Sequence, residues 1–293
     1  MGFFKYCAGV ISKSPFYRKA NDLWQANQKD YWLPLSKLEK VYVGSYIILR
    51  DYAEGYFPPT FTDQALAYEA EEQFFFALPG VDPAEALESD LRKPFWLGNE
   101  RYLNYFLELC EALKSCGIAP PQTILELGAG SGWMSEFLAA MKFKVIATTI
   151  GPSSVEQIHK RAESLEVKGF SDSLSGFQSA MESIDMTLQQ KGEPQVDVIF
   201  VFEALHHAYD WRKTFSAVYN SLKPGGWFLI CREPNLLHTF ISYRVAKLSN
   251  THEIGMGRAE MLKTLSDVGF KENIVLKNHL HYFLRPHWIA AQK

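Results

Sequence analysis

The chain has 293 residues, of which 47% are hydrophobic and 22% are charged, and its formal net charge is -3 at pH 7. This composition predicts a globular protein with one large domain or two modest ones. A pI near 6.3 leaves no basic stripe for DNA or RNA, so no nucleic-acid partner is expected. No apolar run is long enough to span a bilayer, which predicts no membrane partner and a cytoplasmic protein. The four cysteines lack C-x-x-C spacing, so we expect free thiols and no bound metal.

The first 115 residues are rich in aromatic side chains. They hold more than half of the aromatic residues of the chain, including the run Phe74-Phe75-Phe76. Aromatic side chains bury large areas and also form good walls for an apolar ligand. They therefore either line a pocket or pack the core of a helical lid, and the sequence leaves both readings open.

The end of this aromatic region contains two predicted elements. Prolines and glycines interrupt residues 78–94, which predicts a loop with a short polar helix. Apolar residues then recur at helical spacing between Tyr102 and Leu113, which predicts an amphipathic helix. We therefore expect a mainly helical N-terminal region over residues 1–115 that covers the substrate, and a second domain over residues 116–293.

Residues 123–132 read T-I-L-E-L-G-A-G-S-G, an apolar strand followed by a loop with three glycines. These glycines permit backbone torsions and close approaches that a side chain would block. The helix predicted to begin near Trp133 directs its free N–H groups at the loop. Trp133 also stands where the dinucleotide pattern G-x-G-x-x-G needs a glycine, and no P-loop lysine follows. The acidic Glu126 further disfavours a polyphosphate and favours a cationic ligand group.

Strand-like and helical segments alternate after this loop. Strands are predicted at residues 123–127, 144–150, 197–202 and 227–231, separated by segments with helical periodicity. This alternation is typical of βαβ units around a parallel sheet, which binds ligands at the carboxyl ends of its strands. A last helix closed by Gly269 is followed by two short candidate strands, 273–276 and 281–284.

The segment L-E-L-G-A-G-S-G resembles motif I of the class I S-adenosylmethionine-dependent methyltransferases. Residues 197–207, D-V-I-F-V-F-E-A-L-H-H, resemble the fourth strand and motif IV loop of that family, and L-K-P-G-G at 222–226 resembles the turn before its fifth strand. The resemblance covers about residues 123–292. It implies an α/β fold with a Rossmann-like sheet and helices on both faces, and an enzyme that uses S-adenosyl-L-methionine.

The resemblance also assigns residues to the cofactor. In the family, the acid of motif I orders the loop near the methionyl amino group, and the glycines accommodate the methionyl and ribose parts. Residues 177–182 align with the family's acidic stretch beside the adenine, although Glu182 could instead begin a surface helix. The predicted cofactor-binding residues are Glu126, Gly128, Ala129, Gly130, Gly132, Thr149, Ile150, Met181, Glu182 and Glu203.

Thr149 departs from the family pattern. The second strand of the family usually ends in Asp or Glu, which accepts hydrogen bonds from both ribose hydroxyls of the cofactor. A threonine hydroxyl lacks the charge, and the loss is about 1 kcal/mol, or several-fold in affinity. Thr149 also counts against an NAD enzyme, which needs an acid at nearly the same place. It keeps open a weak or inactive methyltransferase-like binding or regulatory protein.

The candidate catalytic residues are His206, His207 and Glu233. Methyl transfer is an in-line displacement, in which the protein aligns the acceptor and a base removes its proton where it carries one. Either histidine could be that base, although the family's related H-x-x-D pattern, matched by His207 and Asp210, assigns this histidine to the cofactor pocket instead. Glu233 could orient an acceptor hydroxyl or amine. Arg232 could pair with an acidic substrate group or with an internal glutamate.

These patterns together predict methyl transfer from S-adenosyl-L-methionine to a small-molecule acceptor, with a hydroxylated metabolite or a sugar intermediate as the expected substrate. The fold does not specify whether oxygen, nitrogen or carbon is methylated. Assembly into a homo-oligomer is also left open by the sequence.

Overall fold

The computed structural model describes residues 2–95, 100–276 and 285–293. The chain divides into two compact units, one formed by Met1–Ala86 with Asn235–Gly255 and the other by Leu87–Pro234 with Met256–Lys293. The predicted helix at residues 102–113, which precedes the glycine loop, therefore lies in the second unit. The assignment of residues 1–115 to a substrate-covering role stays a prediction. Within the described ranges, no helix has both the length and the apolar character needed to cross a membrane.

The helices and strands are given in chain order. The helices are α1 Phe3–Ser12, α2 Arg18–Asn27, α3 Lys37–Glu54, α4 Gln64–Glu72, α5 Phe74–Ala77, α6 Pro83–Leu91, α7 Arg101–Ser115, α8 Trp133–Ala140, α9 Pro152–Val167, α10 Ile184–Lys191, α11 Trp211–Ser221, α12 Thr239–Ser249 and α13 Arg258–Val268. The strands are β1 Thr123–Leu127, β2 Lys144–Thr149, β3 Leu174–Gln178, β4 Val196–Phe202, β5 Leu222–Glu233, β6 Glu272–Val275 and β7 His287–Gln292.

The first unit is helical and is organised around α3 and α12. A capping box starts α3, because the Ser36 hydroxyl accepts from the Glu39 N–H and the Glu39 carboxylate accepts from the Ser36 N–H. The two helices approach so closely that a Cβ at Gly44 would lie 1.8 Å from the Phe240 carbonyl oxygen. Only glycine permits this crossing. The core of the unit includes Trp24, Tyr46, Tyr243, Val43 and Ile47.

Some of the aromatic residues predicted to line a pocket or pack a core do pack a core, and pocket lining stays a prediction. Tyr46 is buried in the core of the first unit, and Tyr42 and Phe57 pack against that core. By contrast, Trp32 and Tyr56 are mostly exposed. Core packing therefore explains part of the aromatic content of the first unit, while Trp32 packs edge to face on Tyr31 and Tyr56 lies beneath the Lys247 ammonium.

A buried carboxylate fastens α3 to α12. Asp51 is 1% exposed, and its carboxylate accepts hydrogen bonds from Arg50 at 2.8 and 3.0 Å and from the Tyr243 hydroxyl at 2.8 Å. The Lys247 amine lies 3.0 Å away. Burial alone raises the pKa of Asp51, but these partners outweigh it and hold the pKa below its ordinary value. The buried negative charge of Asp51 is therefore compensated by its three partners.

The second unit contains a seven-stranded sheet with the order β3-β2-β1-β4-β5-β7-β6. The first five strands are parallel, with Leu125 opposite both Ile146 and Ile199, and β7 is antiparallel to its neighbours β5 and β6. Two separate apolar clusters cover the two faces of the sheet. This architecture confirms the predicted Rossmann-like α/β fold. The order of the parallel strands reverses between β1 and β4, so the ligand crevice is expected at their carboxyl ends.

The C-terminal strands differ from the sequence-based assignment. The strand β7 was not predicted, and the candidate strand at residues 281–284 lies outside the described residues. Alanines occupy the middle of β7, and alanine has a low strand propensity, so the local pattern is weak. The strand β5 also begins earlier than predicted, at Leu222. The L-K-P-G-G segment is a register irregularity within β5, where Gly225 has a φ of 78°.

Candidate active site

The glycine loop connects β1 to α8, and two of its glycines are required by packing. A Cβ at Gly128, where φ is 66°, would lie 2.7 Å from the Ala204 Cβ and 2.7 Å from the Met181 Cε. Gly132 precedes the first residue of α8 with a φ of 74°, and its Cβ would lie 2.7 Å from the Ile158 side chain. The loop after β1 is therefore packed against the turns that follow β3 and β4.

Gly130 differs from these two glycines. Its φ of 53° is in the left-handed region, yet a Cβ at this position would meet no protein atom within 4 Å. Packing therefore does not require a glycine here. The backbone torsion and the open space instead suit a ligand that lies directly against the main chain. Ala129 beside it is buried, and its N–H donates to the Thr148 carbonyl at 2.9 Å.

Glu126 lies beneath the loop. It is 4% exposed, and its carboxylate accepts a hydrogen bond from the Ser135 hydroxyl of α8. Burial raises the pKa of Glu126 to about 8, against smaller opposing effects of Ser135 and Arg161. The side chain therefore connects β1 to α8. Its predicted role of ordering the loop fits this position, while a direct cofactor contact stays a prediction.

Arg161 on α9 braces the same loop and was not found from the sequence. Its Nε donates to the Ser131 carbonyl at 2.7 Å, and its Nη1 pairs with the Glu136 carboxylate at 2.5 Å. Its Nη2 donates to the Leu91 carbonyl at 3.2 Å. One planar guanidinium thus joins the loop, α8 and the end of α6. A single arginine on a polar helix carries no sequence signal for this role.

The ends of β2 and β3 form the next part of the crevice. Thr149 is buried at the last position of β2, and its carbonyl accepts from the Ser179 N–H at 3.0 Å. The Gln178 amide of β3 donates to the Ile150 carbonyl at 2.7 Å. Ile150 itself is partly exposed. The predicted positions for the ribose and adenine therefore lie side by side at the carboxyl edge of the sheet.

Met181 and Glu182 lie in a short 3₁₀ turn after β3, and both are buried. The Glu182 carboxylate accepts from the Asp210 N–H at 2.8 Å. Glu182 therefore does not begin a surface helix, because its side chain fastens the start of α11. The adenine contacts of these two residues stay a prediction.

Glu233 anchors the turn after β4. It is 0% exposed, and its two oxygens accept from the N–H groups of Ala204 at 2.8 Å, Leu205 at 2.9 Å and His206 at 3.2 Å. The second oxygen is also 2.8 Å from His206 Nδ1. Burial alone raises the pKa of Glu233, but His206 and the backbone donors outweigh it and hold the pKa below its ordinary value. Because this carboxylate only accepts, His206 must carry a proton on Nδ1.

His207 and Asp210 occupy the rest of this turn. The His207 ring lies 4.1 Å, centre to centre, from the ring of the buried His206. The Asp210 carboxylate accepts from the N–H groups of Arg212 and Lys213 and so caps α11. The aspartate of the H-x-x-D pattern therefore has a structural role, and the pattern fixes the end of the turn that carries both histidines.

Two residues with left-handed backbone stand at the ends of β4 and β5. Glu203 has a φ of 48° and Arg232 a φ of 61°, conformations that are rare for residues other than glycine. Arg232 Nε pairs with the Glu203 carboxylate at 2.8 Å, and its Nη2 donates to the Tyr105 hydroxyl at 2.8 Å. Of the two readings of Arg232, the structure therefore shows the internal ion pair, with Glu203 at 2.8 Å and Glu108 at 3.8 Å.

Comparison with known proteins supports what the loop and the sheet indicate. Residues 125–230 match the family profile described as "Methyltransferase domain". A Mycolicibacterium smegmatis protein named as an S-adenosylmethionine-dependent methyltransferase is 25% identical over 148 residues, which are 50% of this chain and 51% of the relative. The chain carries a class I methyltransferase domain. This confirms the predicted family and its cofactor, S-adenosyl-L-methionine. The match spans about half the length of the curated relative.

The fold also resembles that of a solved methyltransferase. The methyltransferase solved with the Haloferax volcanii Trm112 methyltransferase activator aligns with a TM-score of 0.51 at 15% identity, over 71% of this chain and 94% of that one. A Haemonchus contortus phosphoethanolamine N-methyltransferase, solved with S-adenosyl-L-methionine, aligns with a TM-score of 0.47 at 16% identity, over 64% of this chain and 52% of that one. At 15% identity, the first likeness concerns the fold alone.

The residues of the crevice suit the cofactor of this family. Gly130 leaves space against bare backbone where a Cβ would otherwise stand. Thr149 and Ile150 occupy the end of the second strand, where the ribose and adenine are expected. The free N–H groups at the start of α8 face the loop and favour the methionyl carboxylate. No residue of the loop introduces a side chain that would fill the cradle.

Proposed function

We propose that the protein transfers a methyl group from S-adenosyl-L-methionine to a small-molecule acceptor that carries a proton, with a hydroxylated metabolite or a sugar intermediate as the acceptor class. The observation that carries the proposal is the contact of Gly128 with Ala204, which brings the glycine loop against the turn that holds His206. A cofactor cradle and a carboxylate-oriented histidine therefore share one edge of the sheet.

His206 is the proposed general base. Its Nδ1 proton is directed at the Glu233 carboxylate, so the lone pair of the neutral ring lies on Nε2. The acceptor proton passes to Nε2, and the anionic Glu233 stabilises the imidazolium that results. Glu233 is fully buried and acts through His206, so we assign it to positioning instead of contact with the acceptor.

The cofactor, when bound, supplies an electrophilic methyl group on its sulfonium. The chain aligns the acceptor for an in-line displacement and removes its proton. Glu203 is partly exposed at the end of β4, and Arg232 fixes its carboxylate at 2.8 Å. It is the proposed polar contact for the cofactor at this end of the crevice. Gly128, Gly130 and Gly132 with Thr149 and Ile150 hold the remainder.

The cofactor site is tested with a matched pair of glycine variants. Gly130→Ala and Gly192→Ala both place a side chain at a positive φ, 53° and 71°, with open space around the new Cβ. Each therefore loses about 1–2 kcal/mol of stability from the torsion alone. Only Gly130→Ala fills the cradle, so we expect it to weaken S-adenosylhomocysteine binding at least about tenfold in calorimetry. Equal affinities of the two variants would contradict the proposed site.

The acceptor class is tested by activity. The purified protein is incubated with S-adenosyl-L-methionine and a panel of hydroxylated, amino and carbon acceptors, and S-adenosylhomocysteine formation is measured. Turnover restricted to hydroxylated acceptors and lost in His206→Asn supports the proposal. Cofactor binding without turnover on any acceptor would favour the alternative of a methyltransferase-like binding protein.

A further inference from the structure

Arg244 is a buried cation in the first unit. It lies on α12 and is 5% exposed. Its Nη1 donates to the Asn27 Oδ1 at 2.7 Å, and its guanidinium carbon lies 5.3 Å from the centre of the Tyr31 ring. Its Nε is buried with no hydrogen-bond partner. Burial lowers the pKa of Arg244, and Tyr31, which hydrogen-bonds to the guanidinium, opposes this effect without outweighing it. No carboxylate among the described residues compensates this charge.

Arg50 in the same unit shows the usual arrangement. It is partly buried, and two of its nitrogens donate to the Asp51 carboxylate at 2.8 and 3.0 Å. Although burial alone lowers the pKa of Arg50, Asp51 outweighs it and holds the pKa above its ordinary value. A buried ion without such a partner is unfavourable by several kcal/mol. Packing therefore does not account for the placement of Arg244.

Trp24 supplies a second donor without an acceptor. It is 2% exposed, and its Nε1 has no hydrogen-bond partner. Trp24 and Asn27 are three residues apart on α2 and share one face of that helix. The Asn27 Nδ2 donates to the Asp30 carbonyl at 2.9 Å, which directs the Oδ1 toward Arg244. Trp24 Nε1 and Arg244 Nε are thus two buried donors without an acceptor, and Asn27 links the helices that carry them.

We propose that Arg244 and Trp24 form an oxyanion site in the first unit, which takes the carboxylate or phosphate group of a small ligand. The guanidinium fork matches the two oxygens of such a group, and the indole N–H adds a third donor. Tyr31, whose ring stands over the guanidinium, is only half-buried. The ligand enters by displacing this ring. The site belongs to the first unit and is independent of methyl transfer.

The test uses the full chain without cofactor or acceptor. Thermal unfolding and calorimetry are followed against sodium phosphate and, separately, sodium acetate, with sodium chloride to hold the ionic strength constant. We expect a saturable rise in Tm with at least one of the two anions. A phosphate response at lower concentration than acetate identifies a phosphate-bearing ligand, and the reverse identifies a carboxylate.

Variants assign the response to the site. Arg244→Met should raise the anion Kd at least about tenfold, because a charge-assisted hydrogen bond is lost. In chloride alone its Tm should equal or exceed that of the wild type, since an uncompensated charge is removed. Trp24→Phe should weaken binding several-fold. The control Arg50→Met should lower Tm, because Asp51 loses its partner, and should keep the anion Kd of the wild type.

Two results overturn the proposal. One is the absence of a saturable Tm rise beyond the chloride control with both anions. The other is an Arg244→Met variant that binds the anion with the Kd of the wild type. If that variant does not fold, the same result in both Arg244→Lys and Trp24→Phe overturns the proposal. Because no assay contains S-adenosyl-L-methionine, either result leaves the proposed methyl transfer untouched.

Discussion

Glu233→Gln is the substitution that most directly tests the His206 base. In the wild type, one carboxylate oxygen accepts from the Ala204 and Leu205 N–H groups, and the other accepts from His206 N and Nδ1. Glutamine has the same shape but only one accepting oxygen. We expect that oxygen to face Ala204 and Leu205, which places the amide NH₂ against His206.

The consequences for stability and rate follow from the two His206 donors. The His206 ring can change its tautomer and accept a hydrogen bond from the glutamine amide at Nδ1. The His206 backbone N–H, which lies 3.2 Å from the Glu233 carboxylate in the wild type, can only donate and therefore loses its acceptor. One buried unsatisfied donor costs about 1–3 kcal/mol. That corresponds to a Tm lower by about 2–12 °C for a unit of this size. The tautomer exchange moves the ring proton to Nε2, so the base is lost and the rate should fall about 10²–10⁴-fold.

The measurement combines calorimetry with a methyl-transfer pH profile on an accepted substrate. His206→Asn and the double variant with Glu233→Gln complete the cycle. If Glu233 acts through His206, the double variant should be no slower than His206→Asn alone. A Glu233→Gln protein with the wild-type rate, the wild-type pH profile and a Tm within about 1 °C of the wild type would refute this reasoning.

Three further predictions concern charge. The pKa of Glu126 is about 8 in the folded protein and 4.5 ordinarily, so the unfolding free energy falls as pH rises between these values. Glu126→Gln should therefore lose less unfolding free energy than the wild type between about pH 5 and about pH 8, as measured by urea unfolding. Asp51→Asn should lower the unfolding free energy by about 1.5–3 kcal/mol in urea, since the partly buried cations Arg50 and Lys247 lose their carboxylate, whereas Tyr243→Phe should lower it by about 1 kcal/mol. Equal losses in the two variants would contradict a compensated carboxylate. Thr149→Asp should tighten S-adenosylhomocysteine binding several-fold by calorimetry, and unchanged affinity would place the ribose elsewhere.

The sequence by itself determined the parallel part of the sheet and the glycine loop. Strong apolar runs such as β1 can be predicted from the sequence because a strand buried on both faces tolerates few polar residues. The loop can be predicted because it needs glycines: Gly128, Gly130 and Gly132 all have positive φ, which few other residues adopt. The spacing to Trp133 also separated the methyltransferase pattern from the dinucleotide pattern. These signals are local, and one stretch of chain is enough to carry them.

Only the tertiary structure decided the pairings between distant residues. Glu233 meets His206 because β4 and β5 are neighbours in the sheet, and Arg161 reaches the glycine loop because α9 packs beside α8. The strand β7 is recognisable only by its place between β5 and β6, since its own residues favour a strand weakly. In the first unit, the sequence does not distinguish the unpaired Arg244 from the paired Arg50. Burial and partners depend on which helices meet, and no local pattern encodes that.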